Sequence, residues 1–461
     1  MKAPLLLLLV SALAFSVAPS LEAQLLKPKQ ASLLNSNRKP FPKRPPIPDG
    51  ALSTQTVAQL KSLTDSLREQ DYAKLREALG TLGKSKDPRI GWVLSDVLRI
   101  SEHPSLRKAV VSSAETLLGE KIRGRSEWVA LTDLLIAWDV PAFDGYLGVK
   151  REIYTLIVPA WGRLMSDEGE VDWRLVSWGG VGIDNRPYDQ THQPVNSIPA
   201  SDNPTVTDAA GGSWLSDDSP VFGVLINGEA RAYPRFIMEI REMVNDTLGG
   251  RDFAMPYCTL CGAAHVWLTD RVPEGVERPV LRTSGLLIRS NKLMYDVVSG
   301  SVFDTFLGHA TNGPLYQKEI SLPGHPVIST TWGAWKANHP ATTVLAQSES
   351  LGRRSDLRTT RDAKGPIFPV GDVDSRLTVH KEVLGVVTNE GRAIAFSVDQ
   401  AKEHLRKGKE VTLDGVTVSL DAGGLSAQLA DGTPLVAHES FWFGWSQFRP
   451  DTSLWTGGKK S

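Results

Sequence analysis

The sequence predicts an α+β, multidomain chain: an N-terminal stacked-helix unit followed by a duplicated, predominantly β module. Three observations carry that expectation. Apolar residues recur at three- and four-residue spacing up to about residue 165. After about residue 171 the apolar runs become short, β-branched and bounded by Gly, Pro, Asn or Asp. Two local patterns then occur twice in the same order. Of the 461 residues 41% are hydrophobic and 22% charged, the composition of an ordinary folded protein, which sets aside disorder and fibrous repeats. Lys and Arg number 51 against 52 Asp and Glu, so no general attraction draws the chain to nucleic acid or an acidic membrane, and no nucleic-acid partner is expected.

Taken in order, Met1-Lys2, an apolar run from Leu5 to Val17 and the small residue Ala23 before Gln24 read as a signal peptide over residues 1–23. The run is shorter than the roughly 20 residues a spanning helix needs. An exported protein, periplasmic or extracellular, with no transmembrane span in its mature form is therefore expected. Residues 24–50 carry Pro40, Pro42, Pro45, Pro46 and Pro48 among Lys and Arg and read as an extended linker. A helical domain is expected over 51–165, and it is the part through which a protein partner would be engaged. Its first four helices are marked by Leu60 and Leu63, Leu75 and Leu79, Val93 and Val97, and Leu106 and Val110, with Pro88 and Pro104 near helix starts. Further helical stretches are expected over 128–138 and 146–161.

A first β-rich module is expected over 171–345, with strands at 221–226, 251–257, 263–268, 280–287, 302–307 and 327–331. One helix interrupts it, starting at Pro234 and holding Phe236, Ile237, Ile240, Met243 and Val244 on one face until Gly249-Gly250. A second, degenerate module is expected over 346–461. Val221-Phe222-Gly223-Val224 is echoed by Val383-Leu384-Gly385-Val386, 162 residues on, and Trp332-Gly333-Ala334-Trp335 by Trp442-Phe443-Gly444-Trp445, 110 residues on. The second copy is thus 52 residues shorter between the two echoes and lacks a Cys-x-x-Cys, which assigns the chemistry to the first. Trp332 and Trp335, at helical spacing, are expected to pack in the core.

Cys258 and Cys261 are the only two cysteines, and Gly262 follows them. A pair three residues apart closes too small a loop to constrain an unfolded chain much, so a chemical role is expected. With strands expected on both sides, the pair should occupy a tight turn instead of capping a helix. Three readings stay open. One cysteine attacks as a thiolate and the other resolves, giving thiol–disulfide redox chemistry. Alternatively Cys258 and Cys261 ligate a metal, Zn or Cu, completed by residues such as His265, His309, His325 or Met294. In the third reading the protein is a non-catalytic secreted binding or scaffold protein whose cysteines form a structural disulfide. Gly-x-Ser-x-Gly, His-Glu-x-x-His and phosphate-binding glycine loops are missing from the sequence.

The segment 282–296 interrupts apolar residues with Arg289-Ser290-Asn291-Lys292, a turn signal. Buried polar groups need partners, so this segment and the cysteines are expected to meet in a pocket. Cys258, Cys261 and Asp296 are the expected catalytic groups. Arg289, Asn291, Lys292 and Tyr295 are the expected substrate-binding groups, with Arg289 or Lys292 lowering a thiol pKa.

Several motifs occur in an order typical of one family. They are Ala230-Arg231-Ala232-Tyr233-Pro234, the stretch from Val244 to Gly250 beginning Val-Asn-Asp-Thr-Leu, Tyr257-Cys258-Thr259-Leu260-Cys261-Gly262, Ser284-Gly285-Leu286-Leu287, Met294-Tyr295-Asp296 and Gly313-Pro314-Leu315. In these the chain resembles domain-of-unknown-function family 3179 over about 197–343, with the weaker second copy extending the likeness to residue 455. Ser177-Trp178-Gly179-Gly180 is similar to the region that precedes the domain in longer relatives. The resemblance implies a fold and a conserved site, with no established activity. The chain departs from it at Ile240-Arg241-Glu242, where many members carry Trp-His-Glu, and at Thr259, where many carry Pro. Any role of that family histidine does not transfer.

Overall fold

The computed structural model describes residues 41–124, 126–187 and 196–457. The expected signal peptide and residues 24–40 of the expected linker lie outside them. The chain is a mixed α+β protein.

Among the described residues six helices come first: α1 (Thr54–Glu69), α2 (Tyr72–Gly83), α3 (Gly91–Ile100), α4 (Pro104–Leu118), α5 (Glu127–Ala137) and α6 (Tyr146–Thr155). Their starts follow local chemistry. Ser53 accepts the Thr56 N–H ahead of α1, Asp71 accepts two N–H groups ahead of α2, and Pro104 opens α4. The apolar stripes seen in the sequence meet in one core that includes Leu63, Leu79, Val93, Val97, Val110 and Leu131. Residues 41–50 lie against α5: Trp138 Nε1 donates to the Pro42 carbonyl and Arg44 donates to the Trp138 carbonyl.

The remainder runs β1 (Val176–Trp178), β2 (Ser201–Asp202), β3 (Val206–Asp208), β4 (Pro220–Ile226), β5 (Glu229–Pro234), α7 (Arg235–Arg241), β6 (Met243–Leu248), β7 (Arg251–Cys258), β8 (Ala263–Ala264) and β9 (Val266–Leu268). Next come β10 (Leu281–Ile288), β11 (Asn291–Asp296), β12 (Val302–Asp304), β13 (Ala310–Asn312), α8 (Pro314–Gln317), β14 (Gly324–His325), β15 (Ile328–Thr331), α9 (Trp332–Asn338) and β16 (Thr343–Leu345). After α10 (Leu357–Thr360) follow β17 (Glu382–Val387), β18 (Ala393–Ser397), α11 (Val398–Arg406), β19 (Val411–Leu413), β20 (Val416–Asp421), β21 (Gly424–Leu429), β22 (Pro434–Leu435), β23 (Ala437–Phe441), α12 (Trp442–Phe448) and β24 (Ser453–Trp455).

One sheet has the order β15-β4-β5-β16-β3 and another β23-β17-β18-β24. In both, the two central strands are antiparallel, one outer strand is antiparallel to its neighbour and the strand after the tryptophan helix is parallel to its neighbour. A second pair of sheets, β14-β9-β7-β6-β2 and β19-β20-β21-β22, is antiparallel along the paths β14-β9-β7-β6 and β22-β21-β20-β19. The fifth sheet, β1-β10-β11-β12-β13, takes four of its strands from between β9 and β14, where the later half of the chain runs directly from β21 to β22.

The two tryptophan helices are seated alike. A Cβ on Gly223 would stand 2.3 Å from the Trp335 ring, and one on Gly385 would stand 2.2 Å from the Trp445 ring. Trp335 Nε1 donates to Thr342 Oγ1 and Trp445 Nε1 to Thr452 Oγ1, each at 2.9 Å.

Three expected elements are corrected. Helix α7 stops at Arg241 because Glu242 takes a left-handed φ of 52°, and the residues expected to continue it form β6, laddered to β7 across Gly249-Gly250. The strand expected over 263–268 is split into β8 and β9 at His265. The strand expected over 302–307 ends at Asp304, whose carboxylate accepts the N–H groups of Phe306 and Leu307 in a turn. Among the described residues no helix is long and apolar enough to cross a membrane.

Because ring and backbone already touch, Gly223→Ala and Gly385→Ala are each expected to destabilise the protein by about 1–3 kcal/mol through overpacking. A lowered urea midpoint at unchanged slope checks this.

Candidate functional site

Strand β7 ends at Cys258 and β8 begins at Ala263, with Cys258 paired to Ala263, so the cysteines occupy a turn flanked by strands as expected. Gly262 takes a φ of 62°, which a Cβ would strain, and a Cβ there would also press on Arg358 and Phe441. Both cysteines are free, and they are 1% and 0% exposed.

Facing them is the two-residue turn between β10 and β11. Arg289 and Ser290 take consecutive left-handed φ values of 45° and 67°. Such a turn matches the twist of the strands it joins, at a cost of about 1–3 kcal/mol for each non-glycine residue. The turn aims one carbonyl at both sulfurs: the Ser290 oxygen lies 3.7 Å from Cys258 Sγ and 3.4 Å from Cys261 Sγ. Asn291 Oδ1 stands 4.0 Å from Cys261 Sγ, while Asn291 Nδ2 and Ser290 Oγ are buried without a hydrogen-bond partner.

Burial pushes the Cys258 thiol up, but the Cys261 thiol and the N–H groups of Lys292 and Cys261 outweigh it and hold Cys258 below the usual thiol range. Burial and the neighbouring Cys258 sulfur push Cys261 well above that range. The pair is therefore polarised, with Cys258 the readier of the two to give up its proton and Cys261 the readier to keep one.

The structure gathers only part of the expected site. Asn291 is beside the sulfurs. Lys292 contributes its backbone N–H, while its ammonium sits 2.8 Å from Glu242 Oε2 and donates to the Glu242 carbonyl. Tyr295 and Asp296 are corrected: the Tyr295 hydroxyl donates to the Asp184 carbonyl, and Asp296 accepts from the N–H groups of Val280 and Ser299. Each residue of a strand advances about 3.3 Å, so four residues beyond Asn291 the strand has left the sulfurs. Arg289 is corrected too. Its N–H bonds the Leu175 carbonyl, and the carboxylates that act on its guanidinium are Asp172 and Asp139.

The expected open pocket is corrected as well. The sulfurs lie in an apolar cluster with Phe306, Phe441, Trp442, Phe443 and Trp445. Two surface cavities of about 520 and 450 Å³ lie elsewhere, the first beside Arg271 and Glu319 and the second beside Phe41 and Ile367.

What closes the site comes from a distant part of the chain. The Phe441 N–H donates to the Cys261 carbonyl at 2.7 Å. Gly444 is so near that a Cβ on it would stand 3.1 Å from Cys261 Cβ and 3.4 Å from Sγ. Beside this contact His265 and His438 are buried with ring centroids 4.0 Å apart, framed by Phe306 and Trp445, and neither Nε2 has a hydrogen-bond partner. Burial pushes His265 well below the usual imidazole range and His438 down to about 3. Burial also raises Asp304 to about 6 and Glu439 to about 7. Among the described residues no group of three or more His, Cys, Asp or Glu gathers in a way that could hold a metal. His309 pairs with Glu170 and His325 Nδ1 contacts the Pro326 carbonyl.

A model of the family described as "Protein of unknown function (DUF3179)" matches residues 195–432, just over half of the chain. The chain belongs to this family. The DUF3179 match takes in the cysteine turn and the Arg289-Ser290 turn, and ends just before His438, Phe441 and Gly444, which close the site. No curated protein and no solved structure matches the chain.

The buried titratable groups give opposite pH signs. Unfolded imidazoles take protons near 6.5 and the folded ones only far lower, so the stability that His265 and His438 contribute is complete above 6.5 and falls as pH drops below it, for His438 toward about 3. The contributions of Asp304 and Glu439 are complete below their ordinary values of 3.8 and 4.5 and are lost as pH rises through about 6 and about 7. His438→Gln should flatten the acid limb of a plot of urea midpoint against pH, and Glu439→Gln should flatten its neutral limb. An acid limb unchanged in the histidine variant would contradict the assignment.

Proposed function

We propose that the chain is an exported thiol–disulfide redox protein whose working pair is Cys258 and Cys261. The observation that carries this reading is the polarised dithiol: two free, neighbouring thiols, one held below and one above the ordinary range. In the forward direction the Cys258 thiolate attacks one sulfur of a partner's disulfide. That S–S bond breaks, and the far sulfur leaves as a thiolate. Cys261 then gives up its proton and attacks the Cys258 sulfur, forming the Cys258–Cys261 disulfide and releasing the second partner sulfur. Two electrons pass to the partner, whose two sulfurs take up the proton of Cys261 and, from solvent, the proton that Cys258 releases when it ionises.

The proposal includes the architecture around the pair. The helical domain is taken as 51–165, the first β-rich module as 171–345 and the second as 346–461, the two modules being copies of one unit. The matched strand orders and the paired Trp-Gly-Thr contacts support this, and in it the cysteine turn between β7 and its return strand stands where the Ala422-Gly423 turn joins β20 to β21. Export is supported by the pattern of residues 1–23; an intact mass starting near Gln24 in an extracytoplasmic fraction is the expected result.

The second reading is a binding or scaffold protein whose cysteines staple a turn, and the close packing of Gly444 on Cys261 favours it. A metal held by the two sulfurs, Zn or Cu, has less support, because His309 and His325 are engaged elsewhere.

Equilibration in glutathione buffers, followed by acid quenching, alkylation and mass analysis, is expected to show one two-electron transition that Cys258→Ser and Cys261→Ser each abolish. Cys261→Ser should retain a thiol that forms a stable mixed disulfide, whereas Cys258→Ser should lose most of that reactivity at neutral pH. A pair that never cycles in the native protein would overturn the redox reading in favour of the staple.

A further inference from the structure

Sulfurs with no exposure cannot meet a partner unless the turn that carries them moves, so what holds that turn decides whether the chemistry occurs. The turn is anchored by strand pairing on one side only through the two-residue β8. The Phe441 N–H and the packing of Gly444 hold it at Cys261, and a segment over 351–365 holds it at Thr259. Two arginines of that segment grip the turn. Arg361 Nη2 donates to the Thr259 carbonyl at 2.6 Å and Nη1 to the Thr259 hydroxyl at 3.2 Å, between the two cysteines. Arg358 lies 4.1 Å over the Phe441 ring, its Nη2 is 3.1 Å from where a Gly262 Cβ would be, and it pairs with Glu382 at 2.9 Å. The Thr259 hydroxyl in turn donates to Glu242, the carboxylate that holds Lys292.

The segment is shallowly seated along its helix. Its helix α10 has four residues, none of them buried. It is tied down by polar contacts, including the Leu357 N–H to Glu239, and such contacts are individually weak and screened by salt. Left-handed residues stand at both ends, Leu351 and Gly352 at φ 53° and 68° and Gly365 at φ 84°. A segment with few buried apolar contacts opens at far lower cost than the core.

We infer that residues 351–365 form a releasable clamp on the cysteine turn, with Arg361 and Arg358 as positioning residues that hold the dithiol closed. The role assigned to the clamp rests on the redox reading above, but its mechanics do not. When the clamp lifts, the Thr259 carbonyl loses its Arg361 donor, the turn draws away from the Ser290 carbonyl and from the Phe441 N–H and Gly444 that cover Cys261, and both sulfurs meet solvent.

The test is the rate of N-ethylmaleimide labelling of the native, reduced full-length protein. Arg358→Gln/Arg361→Gln is expected to label at least about 10-fold faster than the wild type, with Arg361→Lys in between and with thermal unfolding of the remaining fold unchanged. Raised salt should accelerate the wild type and not the double variant. Equal labelling rates in the wild type and the double variant would overturn the clamp. Should the double variant fail to fold, hydrogen exchange of the wild type decides. Amides of residues 259–262 that exchange together with those of 357–361, well before global unfolding, support the clamp, and exchange only with global unfolding overturns it. Failure of the redox reading looks different: thiols that label quickly in the double variant yet never form the Cys258–Cys261 disulfide in glutathione buffers.

Discussion

An outer strand that is buried must still pair its backbone, and that requirement shapes this half of the molecule. β23 is the outer strand of its sheet, and its Phe441 N–H reaches the Cys261 carbonyl. On the other sheet the outer strand β15 is met by the β20–β21 hairpin. The Thr330 hydroxyl donates to the Ala422 carbonyl, and Gly424 has no room for a Cβ against the Ile328 side chain and the Ser329 carbonyl. Each sheet edge is thus covered by a turn from the other half. One of those turns contains the cysteines, so the position of the sulfurs is bound up with the joining of the two halves. Their burial among Phe306, Phe441 and Trp445 follows from the same contact.

Burial there makes the local chemistry depend on a few dipoles. With water excluded, the Cys258 sulfur has the N–H groups of Lys292 and Cys261 and the thiol of Cys261, and these suffice to reverse the effect of desolvation on one sulfur while leaving the other high. The same exclusion keeps the His265 and His438 imidazoles neutral although neither Nε2 is satisfied.

What the sequence disclosed and what it hid divide along contact range. Helices α1 to α6, the starting position of α7, the strand-flanked cysteine turn and the packed tryptophans are set by neighbours a few residues away, and each left a local pattern. Asn291 was legible beside Cys261, whereas Tyr295 and Asp296 were not excluded, because closeness along an extended strand looks like closeness in space until the rise per residue is counted. Gly444, Phe441, His438, Arg358 and Arg361 act on the turn from about 100 to 180 residues away, and such contacts leave no spacing to read in one sequence. A hint existed for Gly444, since it stands in the echoed Trp-x-x-Trp pattern, but its contact is with the opposite half and not with its own.

The strained turn at Arg289-Ser290 has one more consequence. Arg289 gives its N–H to the Leu175 carbonyl, just after the helical part of the chain, and the next residue, Ser290, presents its carbonyl to both sulfurs. Leu175 and the dithiol are therefore joined through two consecutive residues of one turn, both in left-handed backbone, so a substitution at either residue acts on the seat of Leu175 and on the oxygen on which the two thiols rest.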